Sequence, residues 1–163
     1  MICNNKKQLF LLRHAQAENI DALKIDADRH LTKIGRENAF NIGKYLQKEV
    51  DQIDKILCSP AKRTKQTLEN LNVNYKNSEF IPSIYGSQTN TLFKLIQSQK
   101  KSIMKLLLIG HNPSITQLAS FFYGKYISEI PTCGLIKIEF NVNSWLDISD
   151  KTKTLFKYHY PKN

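Results

Sequence analysis

The stretch Leu9-Phe10-Leu11-Leu12-Arg13-His14-Ala15 constrains this chain more than any other, because four large apolar residues in succession stop at an arginine and a histidine. A run so short and so uniformly apolar, flanked by lysines, predicts a strand buried on both faces and is too brief for a helix. Arg13 and His14 then stand at the strand's carboxyl end, where open α/β sheets take their ligands. Two further stretches repeat the pattern. Ile53-Asp54-Lys55-Ile56-Leu57-Cys58 runs into Ser59-Pro60 with Arg63 one turn beyond, and Met104-Lys105-Leu106-Leu107-Leu108-Ile109 runs into Gly110-His111-Asn112-Pro113. Ser59 and Asn112 read as helix caps, each followed by a proline at the first helical position. Three strands thus bring cationic or imidazole side chains, and two helix N-termini, to one rim suited to an anion.

At 163 residues the chain is expected to form one domain over 1–163, and 41% hydrophobic with 23% charged residues is ordinary for a folded globular protein. The opening Met1-Ile2-Cys3-Asn4-Asn5-Lys6-Lys7 lacks the apolar core of a secretory signal, and no apolar run approaches the length of a membrane span. Cys3, Cys58 and Cys133 have neither metal-ligand spacing nor the even count of a disulfide framework. The expectation is a cytoplasmic protein with no membrane partner. A net charge of +10 invites a nucleic-acid reading, but the lysines are spread along the chain without an aromatic-basic recognition motif, so nucleic acid is not the expected partner. An acidic protein partner fits the charge as well.

In chain order, a polar loop with Glu18, Asp21, Asp26, Asp28, Arg29 and His30 follows His14 and is placed to fold over the rim. A helix capped by Thr32 follows, with Ile34, Ala39, Ile42, Tyr45, Leu46 and Val50 on one face. A helix is expected from Pro60 to about Leu71, a short strand around 79–81, a loop from Pro82 to Asn90, and a helix from about Thr91 to Gln99. The Pro113 helix carries Ile115, Leu118, Ala119 and Phe122 at helical spacing, with Gly124 as its terminator. After Pro131-Thr132-Cys133-Gly134 the period becomes two. Ile136, Ile138 and Phe140, then Phe156, Tyr158 and Tyr160, alternate with polar residues as an antiparallel edge pair joined through Trp145, each strand with one wetter face.

Two arginines and two histidines at converging strand ends suit one chemistry in particular, the holding and transfer of a phosphoryl group. Guanidinium donates paired, charge-assisted hydrogen bonds to phosphate oxygens, and neutral imidazole can attack phosphorus to form a labile N–P bond. The cations that spread the transition-state charge are already on the protein, so no metal or other cofactor is called for. His14 would need one ring nitrogen free and the other held, by a backbone carbonyl for instance. His30 and His159 lack such company and read as structural or exposed, and the cysteines as packing residues.

With these residues in view, Leu12-Arg13-His14-Ala15-Gln16-Ala17, Leu31-Thr32 through Gly35 to Ala39, Ser59 through Thr67, and Gly110-His111-Asn112-Pro113-Ser114-Ile115 resemble the ordered motifs of the histidine phosphatase superfamily. More narrowly the chain resembles the small SixA-type branch of phosphohistidine phosphatases, which the Pro131–Gly134 turn, the Trp145 segment and Tyr160-Pro161-Lys162 also fit. The resemblance implies a three-layer α/β/α sandwich on a mostly parallel sheet. It also implies a phospho-His14 intermediate and a phosphate pocket of Arg13, Arg63 and His111, with the backbone at Asn112 helping to hold the phosphate. Asp26, three residues before Arg29, matches the Asp of that branch's Asp-x-x-Arg-x-Leu-Thr pattern and is the candidate for a general-acid or water-orienting role.

Two departures matter. Ala15 stands where many members have glycine. No carboxylate occurs in Ile81-Pro82-Ser83-Ile84-Tyr85-Gly86, the region where the superfamily's phosphomonoesterases and mutases carry a glutamate general acid. An alkoxide leaving group needs such an acid, whereas imidazole does not need it to the same degree. The expected substrate is therefore phosphohistidine in a phosphorelay protein. The rival readings are a phosphomonoesterase acting on a small phosphorylated metabolite, and a phosphate- or protein-binding module without turnover.

Overall fold

The sheet is built from the apolar runs. The computed structural model describes residues 6–161; Met1–Asn5, with Cys3, and Lys162 lie outside the described residues. Strands β1 (Lys6–Arg13), β2 (Ile53–Cys58), β3 (Tyr75–Phe80), β4 (Lys105–Gly110), β5 (Leu135–Asn141) and β6 (Lys153–His159) form one mixed sheet in the order β3-β2-β4-β1-β5-β6. The first four positions pair in parallel, and β5 and β6 are antiparallel additions. Because side chains alternate across a strand, β1 feeds two cores. Leu9 and Leu11 face one side, and Phe10 and Leu12 face the other.

Helices α1 (Lys33–Glu49) and α2 (Lys62–Leu71) cover the second side, placing Ala39, Ile42, Leu46, Leu68 and Leu71 over Phe10 and Leu12. Helices α3 (Thr89–Gln97) and α4 (Ser114–Tyr123) cover the first through Leu92, Ile96, Ile115, Leu118 and Phe122, with Trp145 packed beside them. The result is the expected α/β/α layering. Gly43 lets α1 meet α2 closely, since a Cβ there would lie 1.8 Å from the Leu71 carbonyl oxygen. Among the described residues no helix is long and apolar enough to cross a membrane.

Several expectations need correction. Helices α2 and α4 begin at Lys62 and Ser114, not at the prolines, because Ser59 and Asn112 spend their side chains elsewhere. The Ser59 hydroxyl faces His111, and Asn112 accepts from the Thr116 hydroxyl while donating to the Ile130 carbonyl. Thr32 does cap α1, accepting the Gly35 N–H at 3.0 Å. Strand β3 starts four residues early and is polar and largely exposed, an edge strand without the apolar run that marks a buried one. Helix α3 occupies 89–97, two residues earlier than expected at each end. Ile34 is exposed, lying on the solvent side of the first turn of α1. Lys137, placed on a wet face by its alternation, is buried under the end of α1, where Glu49 pairs with it at 2.9 Å. Tyr160 follows β6 and is not part of it.

Candidate active site

His14 follows the last residue of β1, and its backbone is held from both sides. Its N–H donates to the Gly110 carbonyl after β4, and its carbonyl accepts from Cys133 before β5. Cys133 takes a φ of 59°, which turns the Pro131–Gly134 segment onto the end of β1. The next residue, Ala15, is fully buried and donates its N–H to the Thr67 hydroxyl, which in turn donates to the Arg63 carbonyl. Thr67 thus ties the His14 segment to the first turns of α2.

The His14 ring is 8% exposed, and its Nδ1 lies 2.8 Å from the Ala15 carbonyl oxygen. Since that carbonyl can only accept, Nδ1 carries the proton and Nε2 carries the lone pair. Burial, assisted by the nearby His111, Arg63 and Arg13 charges, lowers the His14 pKa to about 3, against the Ala15 bond that favours the cation. At neutral pH this imidazole is uncharged and nucleophilic at Nε2.

Arg63, near the start of α2, is buried and turns its guanidinium to Asp26: one terminal nitrogen donates to the Asp26 carbonyl at 2.8 Å, the other to Oδ2 at 3.0 Å. Arg29 binds the other carboxylate oxygen, and the Tyr85 hydroxyl donates to Oδ2 at 2.7 Å. The Tyr85 hydroxyl first, and then the two guanidiniums, hold Asp26 down at about 2. Those bonds favour the carboxylate form of Asp26 at neutral pH.

Arg13 donates through one terminal nitrogen to Glu129 at 2.8 Å and to the Ile130 carbonyl at 2.7 Å. The His111 ring lies 5.2 Å from the His14 ring, with Tyr85 edge-on to it at 5.5 Å. His111 Nε2 is 2.7 Å from the Ser59 hydroxyl, and burial, together with Arg63, Arg13 and Arg29, lowers its pKa to about 4. A Ser59 hydroxyl donating to Nε2 leaves the ring proton on Nδ1.

Four buried side-chain polar atoms have no partner among the described residues, and three belong to this cluster: Arg13 Nε, Arg63 Nε and His111 Nδ1. Buried polar atoms are normally paired, and two unpaired guanidinium N–H groups, with His111 Nδ1 a third donor in the tautomer whose Nε2 accepts from Ser59, are what an oxyanion would satisfy.

Of the expected site residues, His14, Arg13, Arg63, His111 and Asp26 come together. Asn112 is adjacent, but its side chain turns away to Thr116 and Ile130. His30 is exposed beside Gln66, and His159 stacks on Tyr45, both outside the cluster. Burial raises Cys58 and Cys133 to about 12, which leaves both as protonated thiols. Sequence reasoning missed Tyr85, Thr67 and Glu129. Tyr85 lies in the segment where a glutamate was sought, and an aromatic three residues after a proline was the only local signal. Thr67 and Glu129 act through contacts far apart in sequence, which no local pattern encodes.

The model of the histidine phosphatase superfamily (branch 1) matches residues 9–80. The Arabidopsis thaliana chloroplastic protein At3g52155 is 30% identical over 151 residues, covering 85% of this chain and 69% of that protein. A phosphohistidine phosphatase SixA homolog of Haemophilus influenzae is 26% identical over 129 residues, covering 72% of this chain and 77% of that protein. The same fold is seen in a solved SixA structure from Nakamurella multipartitia, with a TM-score of 0.81, 22% identity and 96% of each chain covered. With its ordered motifs, the family match and this architecture in agreement, the chain belongs to the histidine phosphatase superfamily.

Proposed function

We propose that this protein is a metal-independent phosphatase that works through a phospho-His14 intermediate, and that its substrate is phosphohistidine carried by a protein. The observation that carries the reading is the state of His14: Nδ1 is committed to the Ala15 carbonyl, the ring is neutral, and Arg13 Nε, Arg63 Nε and His111 Nδ1 in the same cluster have no partner among the described residues. In the first step His14 Nε2 attacks phosphorus, the bond from phosphorus to the substrate's nitrogen breaks, and the electron pair stays on the substrate ring, which leaves as neutral imidazole because its other nitrogen already carries a proton. Arg13, Arg63 and His111 hold the phosphoryl oxygens as charge spreads over them. In the second step water attacks phosphorus, the bond to His14 breaks, and inorganic phosphate leaves. Asp26 orients Arg63 and is the carboxylate available to orient that water. Tyr85 occupies the segment where a phosphomonoesterase would place its acid, and its hydroxyl helps hold Asp26 as a carboxylate, the form that cannot protonate an alkoxide.

The test is trapping without acid, using ³²P-labelled phosphohistidine protein, followed by mapping of the labelled residue. Label on His14, with phosphohistidine turned over faster than sugar phosphates, is the expected result. Faster hydrolysis of sugar phosphates overturns the substrate assignment in favour of a small-metabolite phosphomonoesterase. Phosphate binding without label or hydrolysis overturns catalysis altogether.

A further inference from the structure

The segment between β1 and α1 departs from its surroundings in shape, charge and polarity. Ala17 bridges to Leu31, the Glu18 N–H donates to the His30 carbonyl, and Arg29 donates to the Glu18 carbonyl, so residues 18–30 leave and re-enter the fold through one narrow neck. Inside the loop, Asp26 is fastened to Arg63 and Tyr85. The tip is ordered by its own turn, with the Leu23 N–H on the Asp21 carboxylate and the Lys24 N–H on the Asp21 carbonyl. This is the construction of a compact Ω-loop, pinned at its neck and at one internal point.

Its tip carries Ile20, Leu23 and Ile25, which are 77%, 94% and 71% exposed, and none of the three belongs to either core. One exposed aliphatic needs no explanation, but three within six residues, on a loop that supplies Asp26 to the candidate active site, mark a contact surface. Within the loop Glu18 is paired with Lys24, and Asp26 with Arg29 and Arg63, so among the described residues Asp21 and Asp28 are its exposed carboxylates without a cation beside them, in a chain whose net charge is +10.

We infer that this loop is the docking element for the protein that carries the phosphohistidine, and that the partner presents exposed aliphatic side chains flanked by lysine or arginine around its modified histidine. The inference rests on the phosphohistidine reading above. Because His14 is almost fully buried, a phosphoryl group on a protein reaches it only if the surface around that group lies against the walls of the pocket, and this loop is one of those walls. A small molecule is held by a concavity, whereas a projecting aliphatic turn gains contact area only against another surface. Asp21 and Asp28, the exposed carboxylates that the loop does not pair with its own cations, favour a basic partner at the tip.

The test compares one leaving group in two settings, free phosphohistidine and a histidine-phosphotransfer domain charged with phosphoramidate. In the Ile20→Ser/Leu23→Ser variant, kcat/KM toward the charged domain is expected to fall about tenfold, with free phosphohistidine unaffected. Asp28→Lys is expected to raise KM for the domain alone. An equal fall for both substrates, or no fall for either, overturns the docking role while leaving the phosphohistidine reading in place. Failure of the unaltered enzyme to hydrolyse either form overturns both. Light scattering supplies the remaining arm: a dimer of the unaltered chain that the double substitution dissolves assigns the loop to self-association and overturns the inference.

Discussion

The two ends of the sheet bury cations in opposite ways. At the amino end of β1, Lys7 is 1% exposed and its ammonium is fully occupied: it donates to the Lys101 carbonyl, to the Ile103 carbonyl at 2.9 Å and to the Met104 sulfur, and it lies over the Trp145 ring. Asp54 nearby accepts from Met104 N–H, Lys105 N–H and Lys76, and Trp145 Nε1 donates to the Ile103 carbonyl. At the carboxyl end, Arg13, Arg63 and His111 each keep a buried nitrogen without a partner among the described residues. Burying a charged or polar group is costly at either end, and the closed network at Lys7 offsets that cost within the protein. The rim leaves part of the cost outstanding, which is what makes it receptive to an anion. Cation burial alone therefore does not identify a functional site; a cluster of unpaired nitrogens does, whereas the one other buried unpaired side-chain atom among the described residues, Gln8 Oε1 beside Lys7, stands alone.

The sharpest break of this comparison is His14→Ala. Removing the nucleophile is expected to lower turnover by about a thousandfold or more while the thermal midpoint barely moves, measured by single-turnover kinetics and circular dichroism. Arg63→Ala comes next, with an expected loss of about a hundredfold or more in kcat/KM on phosphohistidine, and Arg63→Lys recovers only part because an ammonium cannot reproduce the guanidinium fork. At the other end Lys7→Met should behave in the opposite manner. Removing the ammonium takes one donor from the Ile103 carbonyl, which keeps Trp145, and leaves the Lys101 carbonyl without the lysine, and is expected to cost about 1 kcal/mol in urea unfolding, with kcat/KM unchanged. If Lys7→Met instead reduced catalysis and left stability intact, the distinction between the two ends would fail.

The smallest effect concerns pH. With His14 at about 3 and His111 at about 4 in the unliganded protein, kcat/KM corrected for substrate ionisation should stay nearly flat from pH 7 to 5 and decline near pH 4. A decline centred near 6.5, the ordinary histidine value, would overturn this assignment. Stability follows the same groups. Both folded values lie below the unfolded one, so the unfolded chain takes up protons first as pH falls below about 6.5, and these residues stabilise less and less until their folded values are passed. The urea midpoint should accordingly be lower at pH 5 than at pH 7, and the difference should shrink in a His14→Gln/His111→Asn variant.

Much of the molecule was legible in the sequence wherever a local pattern has a single physical meaning. The apolar runs ending at His14, Ser59 and His111 gave three central strands, because only a strand buried on both faces uses such a run. Thr32 and Gly124 marked true helix ends for the same kind of reason, a hydroxyl cap and a left-handed glycine. Where one residue could serve two purposes, local reading failed. Ser59 and Asn112 have the chemistry of caps, and the tertiary structure spends it on His111, Thr116 and Ile130. Lys137 reads as a solvent-facing position only until Glu49, from a distant helix, is brought beside it. The ionised state of Asp26 belongs to this group too, since it depends on Tyr85, a residue with no sequence relation to it.

The His14 imidazole is carried on backbone that follows β1 and is hydrogen-bonded to the end of β4 and to the turn before β5, so its position is tied to the sheet itself. The residues that would meet an incoming molecule lie instead in segments that connect the sheet to its helices. Drift at the exposed positions of those segments, such as Ile20, Leu23 and Ile25, can therefore exchange one client for another while His14, Asp26 and His111 stay in place, which makes this architecture a durable starting point for new specificities.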